Sequence, residues 1–164
     1  MDKVLAKIEV YKQSLAKITE NRKIWSDRVK QLIYDTLLKV KKASDLDWHV
    51  QKVEGLTNLE AINISFNNQG SGLIETTNTG RRHNVKHGGA LIFTQAYNGQ
   101  IFIIYTYPYI DNWVGQLDNK LIDKVEPEKI SEEFVLNQVA MFLEEMSKWE
   151  SSTTKTQIGF TTER

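Results

Sequence analysis

Residues 2–43 run without a glycine or proline, and apolar side chains recur along them in alternating steps of four and three. Val4, Ile8, Tyr11, Leu15 and Ile18 keep that rhythm, and Trp25, Val29, Leu32 and Thr36 resume it. The position between the two runs falls on Arg22. Such spacing gathers the apolar groups on one face of a helix, and the Ala, Leu, Lys and Glu around them favour that conformation. One unbroken helix would reach about 60 Å at 1.5 Å per residue, longer than the body of a domain of this size. Two arrangements satisfy the pattern. In one, the helix breaks near residues 19–21 or at Ser26-Asp27, a sound N-cap pair, and folds back as a helical hairpin. In the other it stays whole, protrudes, and pairs with a second copy as a short coiled coil. The second, a homodimer built on the long helix, is the preferred expectation.

From Asp47 onward the period becomes two. Residues 48–54, 59–67 and 73–78 read as strands, separated by turn chemistry at Glu54-Gly55 and over 67–72. Residues 91–97 and 100–107 flank Asn98-Gly99, a pair favoured in type I′ hairpins. That turn would set Tyr97 opposite Gln100, Phe93 opposite Ile104 and Ile92 opposite Tyr105. Both faces of this hairpin are apolar, so it is expected at the centre of the sheet, covered by helices on both sides or by a helix and a partner subunit. Pro108 ends the strand, and an irregular aromatic stretch follows. Residues 130–149 form a second amphipathic helix through Val135, Val139, Phe142, Met146 and Trp149, with Ser131, Glu132 and Glu133 suiting its start. The expected fold is α+β in one domain over 1–164. A helical segment spans 1–43, an antiparallel meander of about five strands with its loops spans 47–125, and a helix at 130–150 packs on the sheet. The polar tail 151–164 is read as a frayed end or an edge strand through 157–161.

Composition narrows the function classes. Hydrophobic residues make up 40% of the 164 and charged residues 26%, a globular balance. The 21 basic residues match the 21 acidic ones, which argues against nucleic acid as a partner, because phosphate binding needs a cationic excess. There is no cysteine, so disulfides, thiolate nucleophiles and cysteine-held metals are excluded. Charges interrupt every apolar run of the N-terminal stretch, and no segment approaches the roughly 20 apolar residues that span a bilayer. A cytoplasmic protein that does not engage a membrane is expected. Residues 1–46 carry eleven Lys and Arg against six Asp and Glu, whereas residues 126–150 carry two against seven. These opposite excesses can lie side by side within one chain or between two.

The most pointed local chemistry is Asn78 to Ala90, NTGRRHNVKHGGA. It reads as a long connecting loop in which Arg81, Arg82, His83, Lys86 and His87 sit between glycines. Arginine offers a fork for phosphate or carboxylate, and glycines let a backbone approach a ligand closely. The spacing matches no phosphate-binding loop. His83 and His87 stand four apart, but the glycines and Val85 oppose a helix there and no third ligand lies near, so no metal is expected. His87-Gly88-Gly89 has the composition of an oxyanion loop without the G-x-S-x-G elbow that such a loop serves. The aromatic group Tyr105, Tyr107, Tyr109 and Trp113 around Pro108 could line a pocket. The hairpin register would bring both stretches to one edge, placing Ala90 opposite Tyr107. Glu60 and Glu75 could face one another, and Asp111, Asn112 and Asp118 could hold a cation weakly, yet neither set forms a catalytic constellation. No cofactor is implied. The functional expectation is a non-enzymatic homo-oligomeric interaction domain, or one binding an anionic small molecule or protein partner at residues 81–87 and 107–113. The competing expectation is a small enzyme acting on an anionic substrate at that edge.

Overall fold

The structure, a computed structural model, describes residues 1–113 and 118–152. The N-terminal helical segment is continuous. Helix α1 (Asp2–Ile24) passes through a π-turn (Trp25–Val29) into α2 (Lys30–Ala43), with right-handed helical angles at both junctions. The hairpin alternative does not occur. The π-turn adds one residue to a helical turn, so the core-facing stripe moves one position along the chain. Trp25, Val29, Ile33, Thr36 and Leu37 are buried, and Leu32, expected at the core, is only partly so.

Among the described residues eight strands follow: β1 (Trp48–Val53), β2 (Ala61–Phe66), β3 (Gln69–Thr77), β4 (Gly80–His87), β5 (Ala90–Gln95), β6 (Ile101–Thr106), β7 (Tyr109–Ile110) and β8 (Lys120–Val125). A 3-10 turn (Pro127–Lys129) leads to α3 (Glu132–Glu150), whose first turn is capped by Ser131 Oγ accepting from the Phe134 N–H. The fold is α+β, but the strands do not make one meander. Five form an antiparallel sheet in the order β1-β2-β5-β6-β8, and β3-β4-β7 form a second sheet. The stretch expected to be a loop is therefore strand β4. A two-residue turn at Asn78-Thr79 pairs Thr77 with Gly80, and Arg82 lies opposite Glu75. Its charges do not oppose a strand because the outer half of this hairpin is exposed on both faces.

The Asn98-Gly99 hairpin forms, one residue out of the expected register. Phe93 pairs with Ile103, Ile92 with Ile104, and Ala90 with Thr106 rather than Tyr107. The Ala96 carbonyl accepts from Gly99 and the Ala96 N–H donates to Gln100. This is a longer turn whose last residue, Gly99, takes φ 78°, instead of the two-residue type I′ form. Packing selects it. A Cβ on Gly99 would lie 2.5 Å from Cβ of Asn21, so the turn is pressed against the long helix.

On one face of the larger sheet Ile62, Ile64, Leu91, Phe93, Ile101, Ile103 and Tyr105 are buried together with the α2 stripe and with Val135, Val139, Phe142 and Met146 of α3. Trp48, Phe66, Phe142 and Tyr105 run through this core as successive ring contacts with centroids 5.3, 6.0 and 5.4 Å apart. Both helices thus cover the same face. The opposite face carries the half-buried Ile92, Phe102 and Ile104, with the Lys124 ammonium 5.1 Å from the Phe102 ring centre. Of the two expected arrangements, helices on both sides of the β5–β6 hairpin do not occur among the described residues, because the core-forming helices share a single face. The tail expectation at 157–161 falls outside the described residues.

Candidate functional site

Two places on this scaffold present unusual chemistry. The first is the junction where the smaller sheet leaves the larger one. Gly88 and Gly89 carry the chain across it, and their closeness serves packing within the protein. A Cβ on Gly88 would sit 2.1 Å from the Phe66 carbonyl oxygen, and one on Gly89 would sit 2.7 Å from Sδ of Met146. Beside them a cleft of about 500 Å³ opens between the sheets and the last turns of α3. Phe66, Leu143 and Met146 give it an apolar floor, and Asp47, Lys86 and Glu150 stand at its edge.

The cationic residues divide along β4. Lys86 and His87 lie at the junction, where β4 pairs with β7 and sets Lys86 opposite Ile110 and His87 opposite Tyr109. Lys86 Nζ stands 2.7 Å from Glu150 Oε1 and 5.9 Å from the Trp149 ring centre. It also walls a smaller recess with Trp113. His87 stacks on Tyr109 at 4.3 Å and its Nε2 lies 2.8 Å from Asp111 Oδ1. The hydrogen bond from His87, with help from the Val85 N–H, holds the Asp111 carboxyl below its ordinary range. The Tyr107 hydroxyl donates to Glu145 Oε2 at 3.1 Å, and burial pushes its pKa up. Tyr109 thus lies on His87 and Trp113 shares a recess with Lys86, whereas Tyr107 turns to Glu145 of α3.

Arg81 and His83 are not brought there, and Arg82 reaches it only through its charge, a minor contribution to the lowered pKa of Asp111. They occupy the far half of the β3–β4 hairpin, with Arg81 about 20 Å from His87 at 3.3 Å per residue. Arg82 pairs with Glu75 at 3.0 Å. His83 and His87 share a strand face but stand about 13 Å apart on the same spacing, too far for one ion. Among the described residues no group of three or more His, Asp or Glu could hold a metal. Glu75 lies in β3 of the smaller sheet, whereas Glu60 directly precedes β2 of the larger one. Glu60 instead accepts from Trp25 Nε1 at 2.9 Å and meets Lys30 at 3.1 Å.

A polar chain not anticipated from the sequence ties β1 to β2. Asn67 Nδ2 donates to the Asp47 carboxylate, which turns its carbonyl oxygen toward His49 Nδ1 at 2.7 Å. His49 therefore carries its proton on Nδ1, and Nε2 accepts from Ser65 Oγ at 3.1 Å. The order Ser-His-Asn resembles a nucleophile and base with an orienting group. Yet Ser65 is an ordinary strand residue directly opposite His49, and the adjacent Phe66 N–H is spent on the Gly89 carbonyl. The chain works as a lock on the sheet edge. Only the strand register could have disclosed it, because the four residues are spread over 47–67.

The second place is the N-terminal half of the long helix. Asn21 is the first buried residue of α1. Its Nδ2 donates to the Asn98 carbonyl at 3.3 Å and to Glu126 Oε2 at 2.8 Å. Arg22 donates to the Tyr97 carbonyl at 2.7 Å and lies over the Tyr97 ring, which explains a cation at an otherwise apolar position. Before Asn21 the helix leaves the body. Val4, Ile8, Tyr11 and Leu15 are 45 to 65% exposed, and Ile18 is half-buried at the base. A groove of about 440 Å³ runs between that base and the Asn98–Gln100 turn, with Glu126 on its wall. Lys17 approaches Glu126 and Glu128 at 3.7 and 3.8 Å.

Compared with known proteins, the chain matches no protein-family model, no curated protein and no solved structure. Among the described residues no helix is long and apolar enough to cross a membrane. The function must be argued from the geometry.

Proposed function

We propose that this protein is a non-enzymatic interaction module that self-associates through the N-terminal half of its long helix. The observation that carries this reading is the continuity of the apolar stripe. It covers the core from Trp25 onward, and it continues over Val4, Ile8, Tyr11 and Leu15, which stand exposed with nothing of the described chain covering them. About 24 Å of helix, residues 2–17, projects in this way at 1.5 Å per residue. Isolated helices of that length are marginal in water, and their stability comes mainly from covering an amphipathic face. A contiguous exposed apolar strip of this kind marks an interaction site. The junction supports the reading less, because Lys86 is engaged by Glu150 and the arginines lie elsewhere on the hairpin.

The test is sedimentation equilibrium of the whole chain against a chain lacking residues 1–19, which leaves Asn21 and the core stripe in place. The whole chain is expected to sediment as an oligomer and the shortened one as a folded monomer. Equal, monomeric masses at about 100 μM, a concentration at which even micromolar affinity would show, would sink the proposal.

A further inference from the structure

We infer that the projecting helix pairs with the same helix of a second copy in antiparallel orientation, with residue i beside residue 19 − i of its partner; this rests on the self-association reading above. Written as a heptad, Met1, Ile8 and Leu15 occupy position a, and Val4, Tyr11 and Ile18 occupy position d. In an antiparallel pair, a positions of one helix meet d positions of the other. The sum of 19 then stacks Met1 on Ile18, Val4 on Leu15 and Ile8 on Tyr11, and repeats these layers in reverse. Six layers form and all are apolar. The next position, Arg22, is held by the Tyr97 carbonyl, so the pairing stops where the body begins.

The charges at the edges of the stripe favour this orientation over a parallel one. Lys7 is a g residue and Lys12 the following e residue. A parallel pair sets each Lys7 against Lys12 of its neighbour, at two symmetric places, where like charges repel. The antiparallel pair sets g against g and e against e. Lys7 then meets Ser14, and Lys12 meets Leu5.

The base of the helix supplies a second, independent argument. The groove there lies along the c and g flank, formed by Ser14, Lys17 and Asn21 on the helix side and by Glu126 on the other. Among the described residues the Glu126 and Glu128 carboxylates pair with one ammonium, that of Lys17, while the Arg28 guanidinium is engaged by the Pro127, Glu128 and Ile130 carbonyls of the same segment. An antiparallel neighbour brings its own c and g flank to this groove, at its N-terminal end, and that flank carries Lys3. A parallel neighbour holds its Lys3 at the far tip, more than 20 Å away on helical rise. The acidic 126–128 segment is thereby the acceptor for the basic helix of the second copy, an isologous contact that closes on itself as a dimer.

The absence of cysteine allows a direct test. Val4→Cys and Leu15→Cys chains are prepared separately, then oxidised alone and as a mixture. Layer partners at a usual helix separation have Cα atoms about 5 Å apart, within disulfide reach. Residue 4 and its own counterpart in the antiparallel pair are about 16 Å apart and cannot link. The expected result is a cross-linked dimer only in the mixture. Cross-linking of Val4→Cys with itself would overturn the inference and leave self-association standing. A monomeric wild-type chain would remove both. Because cysteine could weaken a layer, a charge pair gives the second measurement. Lys3→Glu is expected to weaken the dimer about threefold to tenfold, with Glu128→Lys in the same chain restoring it. Indifference of the dimer to Lys3→Glu also overturns the antiparallel register.

Discussion

The two halves of the long helix carry the same pattern and meet opposite fates. From Asn21 to Ala43 the stripe is buried, fastened by Asn21, by Arg28 donating to the Ile130 and Pro127 carbonyls, and by Trp25 and Lys30 on Glu60. From Met1 to Lys17 every residue is exposed. Amphipathic spacing states that a face must be covered. It does not state what covers it. Here the body covers one half, and the other half remains available to a partner.

The largest expected effect separates these halves by stability. Trp25→Ala should cost about 3–5 kcal/mol, the usual range for removing a buried large aromatic, and it also strips the hydrogen bond from Glu60. Leu15→Ala should change the unfolding free energy of the monomer by less than about 0.5 kcal/mol, as for an exposed site, while weakening the oligomer. Urea denaturation at a protein concentration low enough to keep the chain monomeric gives both numbers. Comparable losses would mean that the projecting half packs against its own body in solution.

A smaller effect is expected at the border between the halves. Gly99 holds a left-handed backbone angle, and a Cβ added there would lie 2.5 Å from Cβ of Asn21. Gly99→Ala imposes both the strain of φ 78° and a collision with the helix, for a loss of about 1–3 kcal/mol. The same urea measurement reads it. An unchanged midpoint would show that the hairpin turn does not grip the helix, and the boundary at Asn21 would then have no physical anchor.

The comparison also shows how much of this molecule could be read from its residues. The helical period over 2–43, the period of two after Asp47 and the C-terminal helix were legible because each repeats over many residues. The shift of the stripe to Ile33 and Leu37 was not, since a π-turn inserts one residue without any Gly or Pro to mark it. The hairpin register missed by one because Gly99 answers to Asn21, which lies far away in sequence. Strand β4 was hidden by its own charge, as an exposed hairpin arm needs no apolar alternation. Of the candidate residues, His87 lies against Tyr109 and Lys86 beside Trp113, whereas Tyr107 meets Glu145 and Arg81, Arg82 and His83 lie along the outer hairpin. A strand carries neighbours apart by 3.3 Å per residue, where a loop could have folded them together.

The smallest effect concerns acidity at the same border. Gln100 above all, then Asn21 and Lys17, stabilise the ionised Glu126 carboxyl and hold its pKa below the ordinary 4.5. A carboxyl whose pKa is lower folded than unfolded contributes its stability fully above about pH 4.5 and loses it as the pH falls through the folded value. The grip of the hairpin on Asn21 should therefore be constant from neutral pH down to about 5 and loosen below 4.5. The side-chain amide resonance of Asn21 reports it, because Nδ2 donates to Glu126 and to the Asn98 carbonyl. That resonance should shift in the acid range and stay fixed in Glu126→Gln. With the carboxyl partly exposed and screened, only a modest change in global stability accompanies the shift. The core half of the helix, held by Trp25 and Ile33 rather than by this carboxylate, should not respond below pH 4.5 through Glu126. A loss of structure at both halves together would make them one cooperative unit and erase the distinction between them.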